Sequence, residues 1–317
     1  MEVAVIKEKS ALVRLAPLFI VLGAACWGII GLFTKRLSAA GCGAAQIAFL
    51  RCAVSAVLLL IYLAIFDRKQ LKIAVKDLWM FVGTGIFSLV LFSVLYFTTI
   101  ETTGLSVAAV LLYTAPCFVM LMSAIFFKEQ ITKRKLLALA IAFCGCVCTT
   151  GLLQSLKSGG ASGISWPGVL TGLGSGFGYA LYSIFGSVAL KKYSSMTVTF
   201  YTFLFASAAL APFCISGEFL GFISSPAVIR SGLGISVFST ITPYLLYTLG
   251  LKYTEPGRAS VLAFSEPMVA TLAGVLVFHE ALTVYGLVGI ALIFVSIIIL
   301  STGSKSGKSE AKMCIDR

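Results

Sequence analysis

The sequence predicts an all-α integral membrane protein with ten transmembrane helices, arranged as two inverted five-helix repeats. Three observations predict it: a shortage of charge, apolar runs with cations on alternate connections, and self-similarity at one fixed offset. Hydrophobic residues make up 59% of the 317 residues and charged residues 11%, against roughly 45–50% and about 25% in soluble globular chains. So little charge cannot clothe a water-facing surface. An ordinary cytosolic enzyme, a disordered protein and a nucleic-acid-binding module are excluded on that ground.

A bilayer core about 30 Å thick needs about 20 mostly apolar residues per helix. Runs of that kind lie near 15–34, 45–66, 78–100, 104–127, 134–153, 167–190, 196–216, 228–250, 257–278 and 283–301. The first follows a short segment, 1–14, and is too long for the apolar stretch of a secretory signal. The first five form one unit, 15–153, and the last five another, 167–301. Between them, 154–166 is Gly/Ser-rich and reads as a flexible linker; 302–317 is a basic tail.

The net charge of +12 follows the topology. With a cytoplasmic N-terminus, 19 of the 24 Lys and Arg fall on inside segments. Four fall outside, Lys35, Arg36, Lys157 and Arg230, and Arg51 lies within a span. Cytoplasmic loops retain Lys and Arg, so both termini are expected in the cytoplasm of a cell (plasma or inner) membrane. An extra or missing helix would invert this pattern downstream. The partners implied are the lipid bilayer and a small molecule, with no nucleic acid.

Sliding the chain by 151 places Pro116 on Pro267, Glu129 on Glu280, Thr132 on Thr283 and Tyr113 on the aromatic Phe264. Gly23 meets Gly174, Phe49 meets Phe200, Gly83 meets Gly234, Tyr96 meets Tyr247 and Thr103 meets Thr254. One offset thus relates helices 1–4 to helices 6–9, as a duplicated five-helix unit would. An odd number of crossings gives the copies opposite orientation. That is the construction plan of many secondary transporters.

The segment Ala259-Ser-Val-Leu-Ala-Phe-Ser-Glu266-Pro267, continuing to Glu280-Ala-Leu-Thr283, has a first-half echo in Ala115-Pro116 through Glu129-Gln-Ile-Thr132. With Trp27-Gly28 and Phe49-Leu-Arg51, it resembles the EamA-type proteins of the drug/metabolite transporter superfamily over about residues 15–301. The resemblance implies a transporter of a small metabolite, with amino acids and related amphipathic compounds as the favoured class. Ala115 stands where the second copy has Glu266, so any carboxylate chemistry is one-sided.

Charge within hydrocarbon is costly, and only Arg51 and Glu266 lie deep within spans. Arg51 shares a helix face with Ala44, Ala48 and Ser55; Glu266 shares one with Ala259, Ala263, Ala270 and Ala273. Small residues mark helix contacts, so both charges are expected to point into the bundle. Glu266 is either a proton carrier or cation partner, or a structural carboxylate beside the break at Pro267. Arg51 is either a structural clamp or a counter-ion for a substrate carboxylate. Whether protons take part stays open.

Hydroxyl and aromatic stripes run at helical spacing: Ser88, Phe92 and Tyr96; Ser175, Tyr179, Tyr182 and Ser183; Ser236, Thr240, Tyr244 and Tyr247. With Trp27 and Tyr113 they are candidates to line a central cavity suited to an amphipathic solute. Pro116, Pro243 and Pro267 are expected inside helices, where proline removes a hydrogen bond and kinks the chain. They are hinge candidates, Pro116 and Pro267 above all because the repeat relates them.

Other patterns carry no chemistry. Gly172, Gly174, Gly176 and Gly178 lack the preceding strand of a dinucleotide site and form small-xxx-small pairs for close packing. Among the nine cysteines, Cys144, Cys146 and Cys148 are spaced so that Cys146 points about 200° from the other two on a helix, which leaves small apolar filler. The tail Gly303-Ser-Lys-Ser-Gly307-Lys308-Ser309 lacks the frame of a phosphate-binding loop. No cofactor, metal or enzymatic activity is expected. A flippase for lipid- or sugar-linked cargo and a membrane scaffold stay as alternatives.

Overall fold

The computed structural model describes residues 2–157, 165–215, 219, 221, 223 and 225–302. The linker expected at 154–166 lies mostly outside them, and the tail 302–317 almost wholly so. Every element among the described residues is helical. The first half comprises α1 (Glu2–Gly28), α2 (Ile30–Ala39), α3 (Ala44–Phe66), α4 (Leu78–Val82), α5 (Leu91–Thr103), α6 (Leu105–Leu112), α7 (Ala115–Phe127), α8 (Lys133–Thr149) and α9 (Leu152–Lys157). The second comprises α10 (Trp166–Ala189), α11 (Ser195–Cys214), α12 (Pro226–Ser236), α13 (Thr242–Lys252), α14 (Pro256–Leu262), α15 (Ser265–Phe278) and α16 (Val284–Thr302). Side-chain caps set several starts: Thr132, Ser165 and Ser194 each accept a backbone N–H from three residues ahead.

This is a multi-pass membrane protein. By length and composition, eight helical segments among the described residues are able to cross a bilayer. Of the ten expected runs, 134–153 and 167–190 are not among the eight. The first is α8, which at 17 residues is short for a full crossing. The second is α10, 24 residues long, whose hydropathy is diluted by its glycines and hydroxyls. Burial is arranged as in a lipid solvent: Phe66, Phe213 and Leu276 are exposed, while Ser55, Thr84, Ser175 and Thr240 are completely buried. Water-facing proteins reverse that pattern. The buried hydroxyls bond backbone carbonyls or each other, as Thr84 Oγ1 does with Thr202 Oγ1 at 2.7 Å.

Packing between helices maps onto itself at the offset of 151. Helix α1 packs on α13 and α15; its counterpart α10 packs on their counterparts, α5 and α7. Helices α3 and α11 are counterparts and pack on each other, as do α8 and α16. Lys128 and His279, which the offset relates, both take the left-handed conformation, at φ 57° and 54°, and end α7 and α15.

Two of the three prolines stand elsewhere than expected. Pro243 lies, as expected, inside a continuous helical run, Pro226–Lys252, but Pro116 and Pro267 are the second and third residues of α7 and α15. Proline tolerates the first turn because that N–H needs no helical partner. The breaks therefore fall two to four residues before Pro116 and Pro267, at 113–114 and 263–264. Before Pro243 the chain makes a π-helical turn, Val237–Ile241, where the Thr240 hydroxyl bonds the Ile235 carbonyl at 2.9 Å. A longer π segment, Gly83–Val90, occupies the related place in the first half.

The four glycines of α10 face two different helices. A Cβ on Gly172 or Gly176 would meet Leu111 at 2.3 Å or Thr114 Oγ1 at 2.6 Å. One on Gly174 or Gly178 would meet Leu95 at 3.0 Å or the Phe92 backbone at 3.1 Å. Replacing Gly176 with Val is expected to cost about 1–3 kcal/mol through overpacking. An unchanged thermal midpoint of the detergent-purified protein would contradict this.

Candidate functional site

Trp27 closes the last turn of α1, where the chain breaks before α2. Its ring centroid lies 5.1 Å from that of Tyr244, 5.3 Å from Tyr247 and 6.5 Å from Tyr179. Tyr182 stands edge-on to Tyr244 at 5.0 Å, and Phe92 to Tyr179 at 5.5 Å. These edge-to-face contacts fix ring orientations beyond simple burial. The rings come from α1, α5, α10 and α13, so the cluster joins both halves of the chain.

The cluster surrounds a narrow space with an open mouth. Trp27, Ser88, Leu89, Phe92, Tyr179, Tyr182, Ser183, Tyr244 and Tyr247 line it. Ser183 and the Tyr247 hydroxyl share a hydrogen bond of 2.7 Å. The Tyr182 hydroxyl is buried beside that of Thr199. Hydroxyls in an aromatic cavity are able to receive a polar group of a ligand.

Two charges address the same region. Arg51 is 7% exposed and faces the Tyr244 hydroxyl. Its helix is tied to α12 by Ser55 and Ser236, whose hydroxyls reach the Ser236 and Arg51 carbonyls at 3.4 Å. The Glu266 carboxylate is half-buried in the first turn of α15 and faces the Tyr179 hydroxyl. Tyr96, Tyr113 and Arg51 also lie within electrostatic reach of Glu266. The ion pairs of the described residues include neither Arg51 nor Glu266, so both charges remain available to a third group. The backbone fixes Glu266 tightly: a Cβ on Gly28 would sit 2.7 Å from the Glu266 carbonyl oxygen.

The expected cavity residues divide into three groups. Trp27, Tyr179, Tyr182, Tyr244 and Tyr247 line the space directly. Arg51, Glu266 and Tyr96 are coupled to its edge by charge. Tyr113 packs on Phe264 at 6.1 Å, its own counterpart in the repeat. Leu89 and Phe203 were not anticipated. Leu89 lines the space, and Phe203 supports Tyr244 at 5.0 Å. Both are plain apolar residues with no chemical signature in the sequence. Of the cysteine run, Cys144 is exposed and Cys146 buried, and no metal-binding group is found among the described residues.

The EamA-like transporter family matches residues 14–151 and again 166–302. An uncharacterized transporter of Archaeoglobus fulgidus is 32% identical over 204 residues, covering 64% of this chain and 70% of that protein. A second from the same organism is 30% identical over 254 residues, covering 80% and 87%. The uncharacterized transporter YwfM of Bacillus subtilis is 25% identical and covers 92% of this chain and 95% of its own. One crystal structure shares the fold at a TM-score of 0.69 and 18% identity, covering 90% of this chain and 95% of that one. With both halves matched, the chain belongs to the EamA-like transporter family.

Proposed function

We propose that this protein is a secondary transporter that exports a small amphipathic metabolite, such as an amino acid or a related compound. Two five-helix halves, 15–153 and 167–301, cross the cell membrane in opposite orientation, with α8 and α10 completing ten crossings. Both termini are cytoplasmic, in keeping with the 19-to-4 division of cations. The halves rock about the mid-membrane cavity, which opens to either side in turn. The breaks before Pro116 and Pro267 supply the hinges, with the π turn before Pro243 as a third.

The observation that carries this reading is the aromatic cavity with Arg51 and Glu266, which form no ion pair among the described residues, at its edge. A zwitterion would set its carboxylate toward Arg51, a planar donor suited to that group. Its ammonium would lie toward Glu266 and the tyrosine and tryptophan faces, which attract cations. Its apolar part would fill the space beside Leu89 and Phe92. Between substrate molecules, Glu266 is the group able to carry a proton.

Mass-spectrometric profiling of cells and medium, with and without the protein, tests this reading. A zwitterionic amphipathic metabolite should accumulate in the medium only when the protein is present. A changed lipid composition with unchanged small metabolites would favour a flippase instead. No change in either would favour a scaffold.

A further inference from the structure

Among the described residues, the ties at the two ends of the helical bundle are very unequal. Glu129 and Glu280, related by the offset of 151, directly follow the left-handed residues Lys128 and His279. Each donates its backbone N–H at 3.2 Å to the end of its own helix, Glu129 to the Ser123 carbonyl and Glu280 to that of Gly274. Each side chain then takes part in a tie between the halves.

Glu129 accepts the Gly257 N–H at 3.0 Å and Lys135 Nζ at 2.8 Å. Lys135 also donates to Glu255 at 2.6 Å and to the Gln130 carbonyl at 3.0 Å. The chain between α7 and α8 is thereby tied to the start of α14. Gly257 makes the approach feasible, because a Cβ there would lie 2.6 Å from Glu129 Oε1. The side chains of Glu129 and Lys135 are only 4% and 11% exposed. A second tie joins the halves through the connection before α4. Buried Asp77 accepts Lys192 Nζ at 2.7 Å and the Tyr193 hydroxyl at 2.7 Å.

Glu280 makes a lighter contact. It accepts Lys35 Nζ at 3.0 Å, and the two side chains are 55% and 58% exposed. Lys35 Nζ also rests 3.5 Å from the Phe278 ring centre. The repeat offers nothing like Asp77 here, since its counterpart is Val228, and that of Lys192 is Gly41. Removing one partner from a desolvated pair strands a charge, whereas an exposed pair contributes little.

We propose that Glu129 and Glu280 are paired latches on opposite ends of the transport cycle. Glu129, with Lys135, Glu255 and Gly257, holds the cytoplasmic end shut in the conformation described. Glu280 with Lys35 is the weak latch of the outer end. This rests on the two-half transporter reading. Opening toward the cytoplasm requires the Gly257 N–H and Lys135 to leave Glu129 and all three charges to regain water. The repeat thus supplies one glutamate to each end, and the surroundings of each set the bias between the two states.

Hydrogen–deuterium exchange of the full-length chain in phosphatidylethanolamine/phosphatidylglycerol nanodiscs tests the latch. The natural sequence is compared with Glu129→Gln, Gly257→Ala and Glu280→Gln. Glu129→Gln and Gly257→Ala should each speed exchange in 68–77, 190–197 and 253–260, by about tenfold or more. Both should slow it at the far end, in 29–43 and 279–284. Glu280→Gln should leave the first set unchanged. Faster exchange confined to 128–136, equal effects of Glu129→Gln and Glu280→Gln, or no effect would each overturn the proposal. A latch is released in every cycle, so loss of the fold in both Glu129→Gln and Gly257→Ala would overturn it too. The readout needs no solute and does not depend on which end faces the cytoplasm. It can therefore fail while transport stands, and the reverse.

Discussion

Replacing Glu266 with Gln should reduce transport roughly 10- to 100-fold, the equivalent of losing a charged hydrogen bond worth about 1.5–3 kcal/mol. The substitution keeps shape and hydrogen-bonding capacity, so a purely structural carboxylate would tolerate it. A partner for a substrate ammonium, or a proton carrier, would not. The two roles separate by pH. A lost cation partner depresses the rate at every pH, while a lost proton carrier also flattens the pH dependence of uptake into proteoliposomes. Full activity in Glu266→Gln would leave Glu266 with no part in either role. Tyr179, Tyr113 and Tyr96 surround this carboxylate, so the variant leaves the aromatic wall in place.

Gly28→Leu should have the largest effect on folding. An added Cβ would lie 2.7 Å from the Glu266 carbonyl oxygen, 2.8 Å from Val269 Cβ and 2.9 Å from the Ala270 N. Two of those atoms are backbone and cannot rotate away, so α1 and α15 must separate. Overpacking of this kind costs about 1–3 kcal/mol and occasionally more. Because the contact lies one residue from Trp27 and directly on Glu266, the site distorts with the fold. Low yield and a lowered melting temperature in detergent are expected. A variant with normal stability and intact transport would mean that the two helices do not meet as described.

Some of this was legible in the sequence because it follows from solvent and symmetry. The scarcity of charge singles out Arg51 and Glu266, and helical spacing gathers Tyr179, Tyr182, Tyr244 and Tyr247. In a chain dissolved in lipid, polar side chains must find each other or the backbone. The offset of 151 relates the helix ends at Lys128 and His279 without any structure. The positions of the breaks were less legible. Proline marks a break but not its side, and here α7 and α15 begin just before their prolines. The polar ties were harder still. Asp77 is far in sequence from the adjacent Lys192 and Tyr193, and the three carry no motif; only the packing of α4 and α10 brings them together. Leu89 and Phe203 were hidden for a different reason, since apolar residues within spans look alike until a cavity picks some out.

The most direct test is retention of solutes in proteoliposomes. Vesicles loaded with a mixture of the standard L-amino acids would be made with the natural protein, with the double variant Arg51→Ala/Glu266→Gln, or without protein. Mass spectrometry would follow what each vesicle keeps. At least one amphipathic amino acid should leave vesicles holding the natural protein roughly 10- to 100-fold faster than vesicles holding the double variant. Equal retention of every compound in all three would contradict a zwitterion path between Arg51 and Glu266.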